Sequence, residues 1–262
     1  MDLNLGGKAA VVTGASKGIG LAVSRALVDA GAHVVGGART QSQEFKELVE
    51  AGQATYVAVD LSDPAGPVEL VAAAVERGGI DILINNVGSA KPRPDGFVSI
   101  TDDDWYSMLT LGLMSAVRTA RAAVPAMVER GAGAIVMVGS VNAFLPDPLV
   151  LDYSATKAAL TSFAKGLSKE LGPKGIRVNS VSPGPVETDL WLGENGMAQT
   201  LSKVTGQAPE AIAASAVGDT PLGRFSTPQQ VADLVVFLAS DRAANITGAD
   251  MTIDSGMITT LR

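Results

Sequence analysis

The chain of 262 residues contains no cysteine and a single histidine, His33. Without cysteine there is no disulfide, no thiolate nucleophile and no cysteine-ligated metal site. One histidine does not supply the usual histidine-based catalytic triads or zinc sites. We therefore expect no bound metal, and we expect a structural or surface role for His33.

Positive charge is also scarce, with 20 lysines and arginines against 27 acidic residues and a net charge of −7. This balance disfavours nucleic acid and anionic membrane surfaces as partners, because both are themselves negative. No run of about 18 apolar residues is present, and the N-terminus lacks the pattern of a secretion signal. The sequence thus favours a cytoplasmic protein whose partner is a small molecule.

Apolar residues make up 47% of the chain, charged residues 18%, and there are 29 glycines, a composition typical of a globular α/β protein. Short β-branched runs alternate with stretches in which apolar residues recur every three or four positions. The strand predictions are Ala9–Thr13, His33–Gly37, Thr55–Val59, Ile80–Ile84, Ala134–Val138, Arg177–Val181 and Asp250–Ile253. The helix predictions are Gly18–Ala30, Ser42–Ala51, Pro67–Glu76, Asp102–Arg130, Tyr153–Leu171 and Pro228–Leu238.

This alternation of strand and helix predicts a single Rossmann-type domain over residues 1–262. Its core would be a doubly wound, seven-stranded parallel sheet with helices on both faces. One long insertion, residues 187–223, follows the carboxyl end of the sixth predicted strand, where open α/β sheets bind ligands. We interpret it as a substrate lid, in which Trp191 and its apolar neighbours either line a pocket or pack against the body.

The first predicted strand runs directly into a glycine-rich turn, Thr13-Gly-Ala-Ser-Lys-Gly-Ile-Gly20, and a helix pattern opens behind it. The three glycines of this turn allow a tight bend and the close approach of a pyrophosphate. The unpaired N–H groups of the helix N-terminus attract the same anion. In this strand-turn-helix context the motif predicts a dinucleotide-binding site.

The end of the second predicted strand, Gly36-Gly-Ala-Arg-Thr40, lacks the acidic residue that usually binds the ribose 2′-hydroxyl of NAD. Arg39 and Lys17 either pair with the 2′-phosphate of NADP or are ordinary surface cations. We expect NADP(H) to be preferred, with NAD(H) possible. Asp60, after the third predicted strand, either accepts a hydrogen bond from adenine or serves as a cap or turn residue.

Tyr153 and Lys157 lie four residues apart in a predicted helix, so both side chains emerge on one helix face. An ammonium beside a phenol favours the phenolate, and we expect Lys157 to lower the pKa of Tyr153 toward the working range. Ser140 follows the fifth predicted strand, where its hydroxyl could bind a substrate oxygen. These three residues are our candidate catalytic group.

The sequence resembles the short-chain dehydrogenase/reductase family over nearly its whole length. The matching motifs are Thr13–Gly20, Asn85-Asn-Val-Gly88, Ser140, Tyr153-Ser-Ala-Thr-Lys157, Arg177–Gly184 with Thr188, and Ile246–Gly256. The resemblance implies that Tyr153 is the general acid in reduction, that Lys157 also binds the nicotinamide ribose, and that Ser140 orients the carbonyl. It implies hydride transfer between NADPH or NADH and a ketone or secondary alcohol, as in a 3-oxoacyl-carrier-protein reductase or a general carbonyl reductase.

The resemblance also implies that Asn86 and Gly88 flank the adenosine side of the cofactor and that the segment from Pro183 to Thr188 holds the carboxamide. Together with the glycine-rich turn, this gives a set of expected cofactor contacts. They are Gly14, Ser16, Lys17, Gly18, Ile19, Gly20, Arg39, Asp60, Leu61, Asn86, Gly88, Tyr153, Lys157, Pro183, Gly184, Val186 and Thr188. Proteins that this chain resembles commonly pair their long helices within a tetramer, so we also expect a homotetramer.

Gly112 departs from the family, which usually has an asparagine seven residues beyond a tryptophan, here Trp105. In the family that asparagine supports a water molecule linking the lysine to solvent, and a second water, Thr110 or Ser115 could take its place. We expect Gly112→Asn to be tolerated without loss of activity. The departure leaves an alternative open, a catalytically weak dinucleotide-binding module acting in sensing or partner association. Retention of the candidate catalytic group counts against that alternative.

Two charged features outside these motifs also bear on function. A basic patch that docks a carrier protein would favour the 3-oxoacyl reductases, and the candidate cations near the site mouth are Lys91, Arg93 and Arg130. The run Asp102-Asp-Asp104 precedes a predicted helix, where carboxylates stabilise the N-terminus. We predict that this run caps the helix and does not bind a metal.

Overall fold

The computed structural model describes residues 3–260, and within them one parallel sheet of seven strands forms the centre of the molecule. The strands are β1 Ala9–Thr13, β2 His33–Ala38, β3 Ala54–Ala58, β4 Ile82–Asn85, β5 Gly133–Val138, β6 Ile176–Pro183 and β7 Asp250–Ile253. Their order is β3-β2-β1-β4-β5-β6-β7, and every pairing is parallel. The predicted seven-stranded parallel sheet is confirmed.

Helices flank both faces of the sheet. Those of the described residues are α1 Gly18–Asp29, α2 Gln43–Glu50, α3 Gly66–Glu76, α4 Asp102–Leu109, α5 Ser115–Arg130, α6 Leu151–Leu171, α7 Asp189–Leu192, α8 Met197–Thr205, α9 Pro209–Gly218 and α10 Pro228–Ala239. The predicted helices are present, with ends that differ by at most two residues, except that the predicted helix Asp102–Arg130 is divided into α4 and α5. The insertion contains three helices that were not predicted from the sequence, α7 to α9. Of these, α7 has a single turn and is too short to show a helical period.

The helices bury one apolar core on each face of the sheet. On one face α1 and α10 pack against the strands through side chains such as Leu27 and Val235. On the other face α3, α5 and α6 do so through Leu70, Met127 and Leu160. Strands covered on both faces are buried along their length, which explains why their sequences are continuous apolar runs.

The strand order reverses between β1 and β4, so the loops that follow these two strands open a crevice at the carboxyl edge of the sheet. The glycine-rich turn follows β1, and Asn86–Gly88 follow β4. The fold therefore brings two of the sequence motifs to one place. In residues 3–260, no helix combines the length and the apolar character that crossing a bilayer requires.

Helices α4 and α5 form one rod, joined by a π-helical turn at Thr110–Met114. Thr101 caps the rod, because its hydroxyl accepts from the N–H of Asp104 while the Asp104 carboxylate accepts from the N–H of Thr101. The predicted capping role of the acidic run is confirmed. Among the described residues, no group of three or more His, Cys, Asp or Glu side chains is arranged to hold a metal ion.

Candidate active site

The glycine-rich turn after β1 packs tightly against the loop after β4. A Cβ at Gly20 would lie 2.0 Å from the carbonyl oxygen of Gly14, and a Cβ at Gly14 would lie 3.1 Å from Nδ2 of Asn86. That Nδ2 donates to the carbonyl of Thr13 at 2.9 Å, and the N–H of Asn86 donates to the Thr13 hydroxyl at 2.8 Å. Asn86 thus holds the turn between the two strands where the crevice opens.

The groups that the turn presents fit a bound phosphate. Ser16 is buried, yet its hydroxyl has no hydrogen-bond partner among the described residues. Lys17, the N-cap residue of α1, makes no side-chain capping bond within residues 3–260. A buried hydroxyl and the unpaired N–H groups of a helix start are donors that a pyrophosphate can accept from. The residues of this turn therefore fit a dinucleotide.

The segment after β6 faces the turn from the other side of the crevice. A Cβ at Gly18 would lie 3.4 Å from Cγ2 of Thr188, which places the two segments in contact. At Gly184, directly after β6, a Cβ would lie 3.0 Å from Cα of Asp254. Only glycine fits this approach comfortably. Val186 is buried and forms a parallel bridge that fixes the segment further.

The candidate catalytic group assembles at the carboxyl edge of β5. Ser140 follows β5, and Tyr153 and Lys157 occupy the first two turns of α6. Lys157 is 3% exposed, and its Nζ lies 5.7 Å from the centre of the Tyr153 ring. Nζ donates to the carbonyl of Val138 at 2.8 Å. A Cβ at Gly88 would lie 3.5 Å from this Nζ, so the loop after β4 also borders the group.

Burial dominates the acid–base properties of the tyrosine and the lysine. It raises the pKa of Tyr153 above its ordinary value of 10.0, and a hydrogen bond with Ser140 opposes that rise only in part. It lowers the pKa of Lys157 from 10.5 to about 8. The expectation that Lys157 lowers the pKa of Tyr153 is therefore wrong for this structure, because desolvation of the phenolate prevails. The phenol stays protonated at neutral pH, as a general acid must.

Ser140 has a partner that the sequence analysis missed. Its hydroxyl accepts from the N–H of Asn142 and donates to Oδ1 of the same residue, both at 3.2 Å. Nδ2 of Asn142 in turn donates to the hydroxyl of Ser154 at 3.4 Å. This chain of contacts orients the Ser140 side chain. The sequence carries no signal for it beyond the spacing of two residues.

The residues expected at the adenosine end lie at the carboxyl ends of β1, β2 and β3. Arg39, directly after β2, and Lys17, in the turn after β1, are exposed there, and these two strands are neighbours. Oδ1 of Asp60 accepts from the N–H and the hydroxyl of Ser62 at 2.9 and 2.7 Å, so the turn role of Asp60 is present. These bonds lower the pKa of Asp60, with a smaller contribution from Arg39. Leu61 is buried behind it.

Gly112 lies in the π-helical turn, against α6. A Cβ there would lie 2.6 Å from Cγ2 of Thr156, whose hydroxyl donates to the carbonyl of Asp152 at 2.8 Å. Thr156 is fully buried and its rotamer is fixed by that bond. The structure thus contradicts the expectation that Gly112→Asn is tolerated, since asparagine requires Thr156 to move. Ser115 is no substitute, because its hydroxyl donates to the carbonyl of Leu111 at 2.5 Å.

The basic patch expected near the site mouth is largely absent. Arg93 is 8% exposed and pairs with two carboxylates. Arg130 donates to Asp81 at 2.7 Å, and Asp81 precedes β4, at the amino edge of the sheet and away from the crevice. The prediction is wrong for these two residues. Of the three expected cations, Lys91 alone remains exposed near the mouth.

A dinucleotide crevice beside a half-buried, protonated phenol is the arrangement of a Rossmann-type oxidoreductase. In such a protein the nicotinamide carries the hydride while a side chain handles the proton. Residues 14–258 match the family described as enoyl-(acyl carrier protein) reductase. The chain belongs to the short-chain dehydrogenase/reductase family, and it is an NAD(P)-dependent oxidoreductase acting on a carbonyl or alcohol.

Relatives and solved structures match nearly the whole chain. The chain is 35% identical over 265 residues to the 3-oxoacyl-(acyl-carrier-protein) reductase FabG of Vibrio harveyi, a match covering 97% of this chain and 99% of that protein. L-sorbose reductase from Gluconobacter frateurii, complexed with NADPH and L-sorbose, matches with a TM-score of 0.90 and 36% identity over 100% of both chains. A 3-oxoacyl (acyl-carrier-protein) reductase from Agrobacterium tumefaciens, with NADP bound, has a TM-score of 0.84 and 28% identity, covering 97% of this chain and 96% of that one. These relatives favour an enzyme over a catalytically weak binding module.

Proposed function

We propose that the protein reduces a small, free ketone to a secondary alcohol with NADPH, and less efficiently with NADH. The observation that carries the proposal is the meeting of Ser140, Tyr153 and Lys157 beside the crevice. NADPH, when bound, supplies the hydride. Tyr153 donates its proton to the substrate oxygen, and Ser140 orients that oxygen through its hydroxyl. Lys157 binds the nicotinamide ribose beside the phenol.

The cofactor contacts follow from the positions of the motifs. In this proposal the turn from Gly14 to Gly20 holds the pyrophosphate, Arg39 and Lys17 pair with the 2′-phosphate, and Asp60 approaches the adenine. The segment from Pro183 to Thr188 holds the nicotinamide end. Solved relatives that contain NADPH or NADP support the same preference.

The choice of a free ketone over a carrier-bound one depends on surface charge. A carrier protein that is itself acidic needs several cations near the site mouth. Arg93 is buried in ion pairs and Arg130 lies at the far edge of the sheet, so Lys91 remains. The likeness to L-sorbose reductase, whose substrate is a small free ketone, points the same way.

A panel of ketones tests this function directly. We expect the purified protein to oxidise NADPH in the presence of small polar ketones such as L-sorbose, and to reduce a free acetoacetyl thioester at least as fast as the same group on acyl carrier protein. NADPH absorbance is the readout. A clear preference for the carrier-bound group would contradict the choice of substrate class, and no turnover of any ketone would contradict the function.

Replacing Arg39 tests the cofactor preference. Arg39→Ala removes a charge-assisted hydrogen bond to the 2′-phosphate, so kcat/KM for NADPH should fall by about 10- to 100-fold while kcat/KM for NADH stays nearly constant. Arg77→Ala is the matched control, since Arg77 is an exposed arginine at the end of α3, near His33 at the amino edge of the sheet. If the ratio of kcat/KM for NADPH to kcat/KM for NADH is the same in Arg39→Ala as in the wild type, Arg39 is an ordinary surface cation.

The proposal also covers domain organisation, oligomeric state and location. The chain forms one domain, in which the insertion 187–223 acts as a substrate lid. The ring of Trp191, in the insertion, packs edge to face against the ring of Phe225, just beyond it, with 5.6 Å between the ring centres. The protein is a homotetramer in the cytoplasm. Exposed apolar side chains before α4, Phe97 at 65% and Val98 at 94% exposure, support association of subunits.

A further inference from the structure

Arg93 is a buried cation that the chemistry above does not use. It lies in the loop after β4, and its side chain is 8% exposed. Nε and Nη2 donate to Oδ2 of Asp152 at 3.1 and 2.5 Å, and Nη1 donates to Oδ1 of Asp104 at 2.7 Å. We call these three residues the Arg93 cluster. It joins the loop after β4, the start of α4 and the start of α6 at one point.

The main chain of Arg93 makes a second connection to the segment before α6. Its N–H donates to the carbonyl of Leu149 at 2.7 Å. Pro92 and Pro94 stand on either side and fix their own φ angles, and Pro94 also restricts Arg93, the residue before it, to extended backbone. The loop therefore meets α6 as a stiff element that is bound through both its main chain and its side chain.

Asp152 carries this constraint to the reacting group. It is fully buried, directly precedes Tyr153, and accepts from the N–H of Tyr153 through Oδ1 at 2.9 Å. That N–H is one of the groups that a helix start leaves without an intrahelical partner. One carboxylate thus binds the arginine through one oxygen and the main chain of the tyrosine through the other.

We propose that Arg93 is a positioning residue for the reductase reaction. Through Asp152 it sets where the Tyr153 hydroxyl stands relative to a substrate oxygen, and it holds the loop after β4 as one wall of the substrate cleft. The inference rests on the proposed function and deepens it. Proton transfer needs heavy atoms about 2.6 to 3.2 Å apart, and a displacement of about 1 Å can cost about 100-fold in rate.

Stability alone does not account for the Arg93 cluster. Burying an ion pair removes the hydration of both ions, and replacement by apolar side chains is often neutral or stabilising. The planar guanidinium fork, however, binds two carboxylates in fixed directions, which the single ammonium of a lysine does not reproduce. Fixed orientation is what the cluster contributes.

Three variants separate positioning from folding: Arg93→Lys, Arg93→Met and the double variant Arg93→Met with Asp152→Asn. The measurements are kcat and KM for ketone reduction at saturating NADPH, and the melting temperature. Arg93→Met leaves a buried carboxylate without its partner, so kcat and the melting temperature both fall. The double variant removes that charge and recovers the melting temperature, but its kcat stays at least about tenfold below wild type, because the loop and α6 are no longer joined. Arg93→Lys keeps the charge and gives an intermediate kcat.

Lys91→Met is the matched control, since Lys91 lies in the same loop, 3.9 Å from the same Asp104, and is 70% exposed. Its kcat should change by less than about twofold. A double variant with wild-type kcat overturns the proposal, because the ion pair would then serve folding only. If Arg93→Met does not fold, the kcat values of Arg93→Lys and of the double variant still distinguish a positioning role of Arg93 from a role in folding alone. Absence of ketone reduction by the wild type defeats the proposed function, whereas an active wild type with unchanged kcat in these variants defeats the positioning role alone.

Discussion

Tyr153→Phe should abolish most of the reductase activity while leaving cofactor binding intact. The change removes one hydroxyl, which in our proposal donates the proton to the substrate oxygen, and a positioned general acid contributes about 100- to 10,000-fold to rate. We therefore expect kcat/KM for ketone reduction to fall by about that factor. NADPH affinity, measured by titration calorimetry, should stay close to that of the wild type, because the phenylalanine ring keeps the shape of the site.

Tyr106→Phe provides the control for this experiment. Tyr106 is 66% exposed on α4 and lies outside the candidate site, so its loss of a hydroxyl should leave both activity and stability unchanged. If Tyr153→Phe retains more than about a tenth of the wild-type kcat/KM, another group supplies the proton, because a loss of less than about tenfold is smaller than the contribution of a general acid. The phenol would then serve only to shape the cleft.

The sheet and the dinucleotide crevice could be predicted from the sequence because their signals are local. Parallel strands buried on both faces are short apolar runs, and the glycine-rich turn reports its own backbone geometry. The limits of this signal appear at β4. Ile80 is fully buried and belongs to the apolar run, yet the strand begins at Ile82. An apolar pattern reports burial and does not report where strand pairing begins.

Arg93 shows what the sequence could not predict. An arginine between two prolines in a polar loop is typical of an exposed cation, which is how the sequence analysis interprets it. Its burial depends on Asp152, which is 59 positions away in the chain. Only the parallel topology, which places the loop after β4 beside the start of α6, brings the two charges together. The same holds for the π-helical turn at Gly112, since its fit against Thr156 is a contact between two helices.

The direction of the pKa shift of Tyr153 is another property that could not be predicted from the sequence. The spacing of Tyr153 and Lys157 correctly predicts that both side chains share a helix face, and the structure places the ammonium 5.7 Å from the ring centre. The spacing does not reveal how deeply the two groups are buried or that Lys157 donates to a main-chain carbonyl. Desolvation is a property of the whole fold, so the direction of the pKa shift is not available from a four-residue motif.

Lys157→Met should inactivate the enzyme and at the same time stabilise the fold at neutral pH. Burial lowers the pKa of Lys157 from 10.5 to about 8, so at pH 7 the folded protein bears the full cost of holding a buried ammonium. The difference of about 2.5 between these two pKa values corresponds to about 3.5 kcal/mol, and loss of the hydrogen bond to Val138 offsets about 1 kcal/mol, leaving a gain of about 2.5 kcal/mol. For a chain of this size that is about 5 to 10 °C in melting temperature. The kcat/KM for reduction should fall by about 100-fold or more, since in our proposal Lys157 also holds the nicotinamide ribose, and a cofactor misplaced by about 1 Å can cost that much in rate.

The pH dependence identifies the cause of the stabilisation. Between about pH 8 and 10.5 the unfolded state holds the lysine proton more tightly than the folded state, so wild-type stability rises with pH relative to the variant. The advantage of Lys157→Met should therefore be greatest below pH 8 and disappear as pH approaches 10.5. Lys165→Met, on the same helix, is the control. Lys165 is exposed and also donates to a main-chain carbonyl, at 2.7 Å, so its replacement should change stability only slightly. A gain of equal size at pH 7 and pH 10.5 would mean that methionine packs better at this position, and that burial of charge is not what opposes folding there.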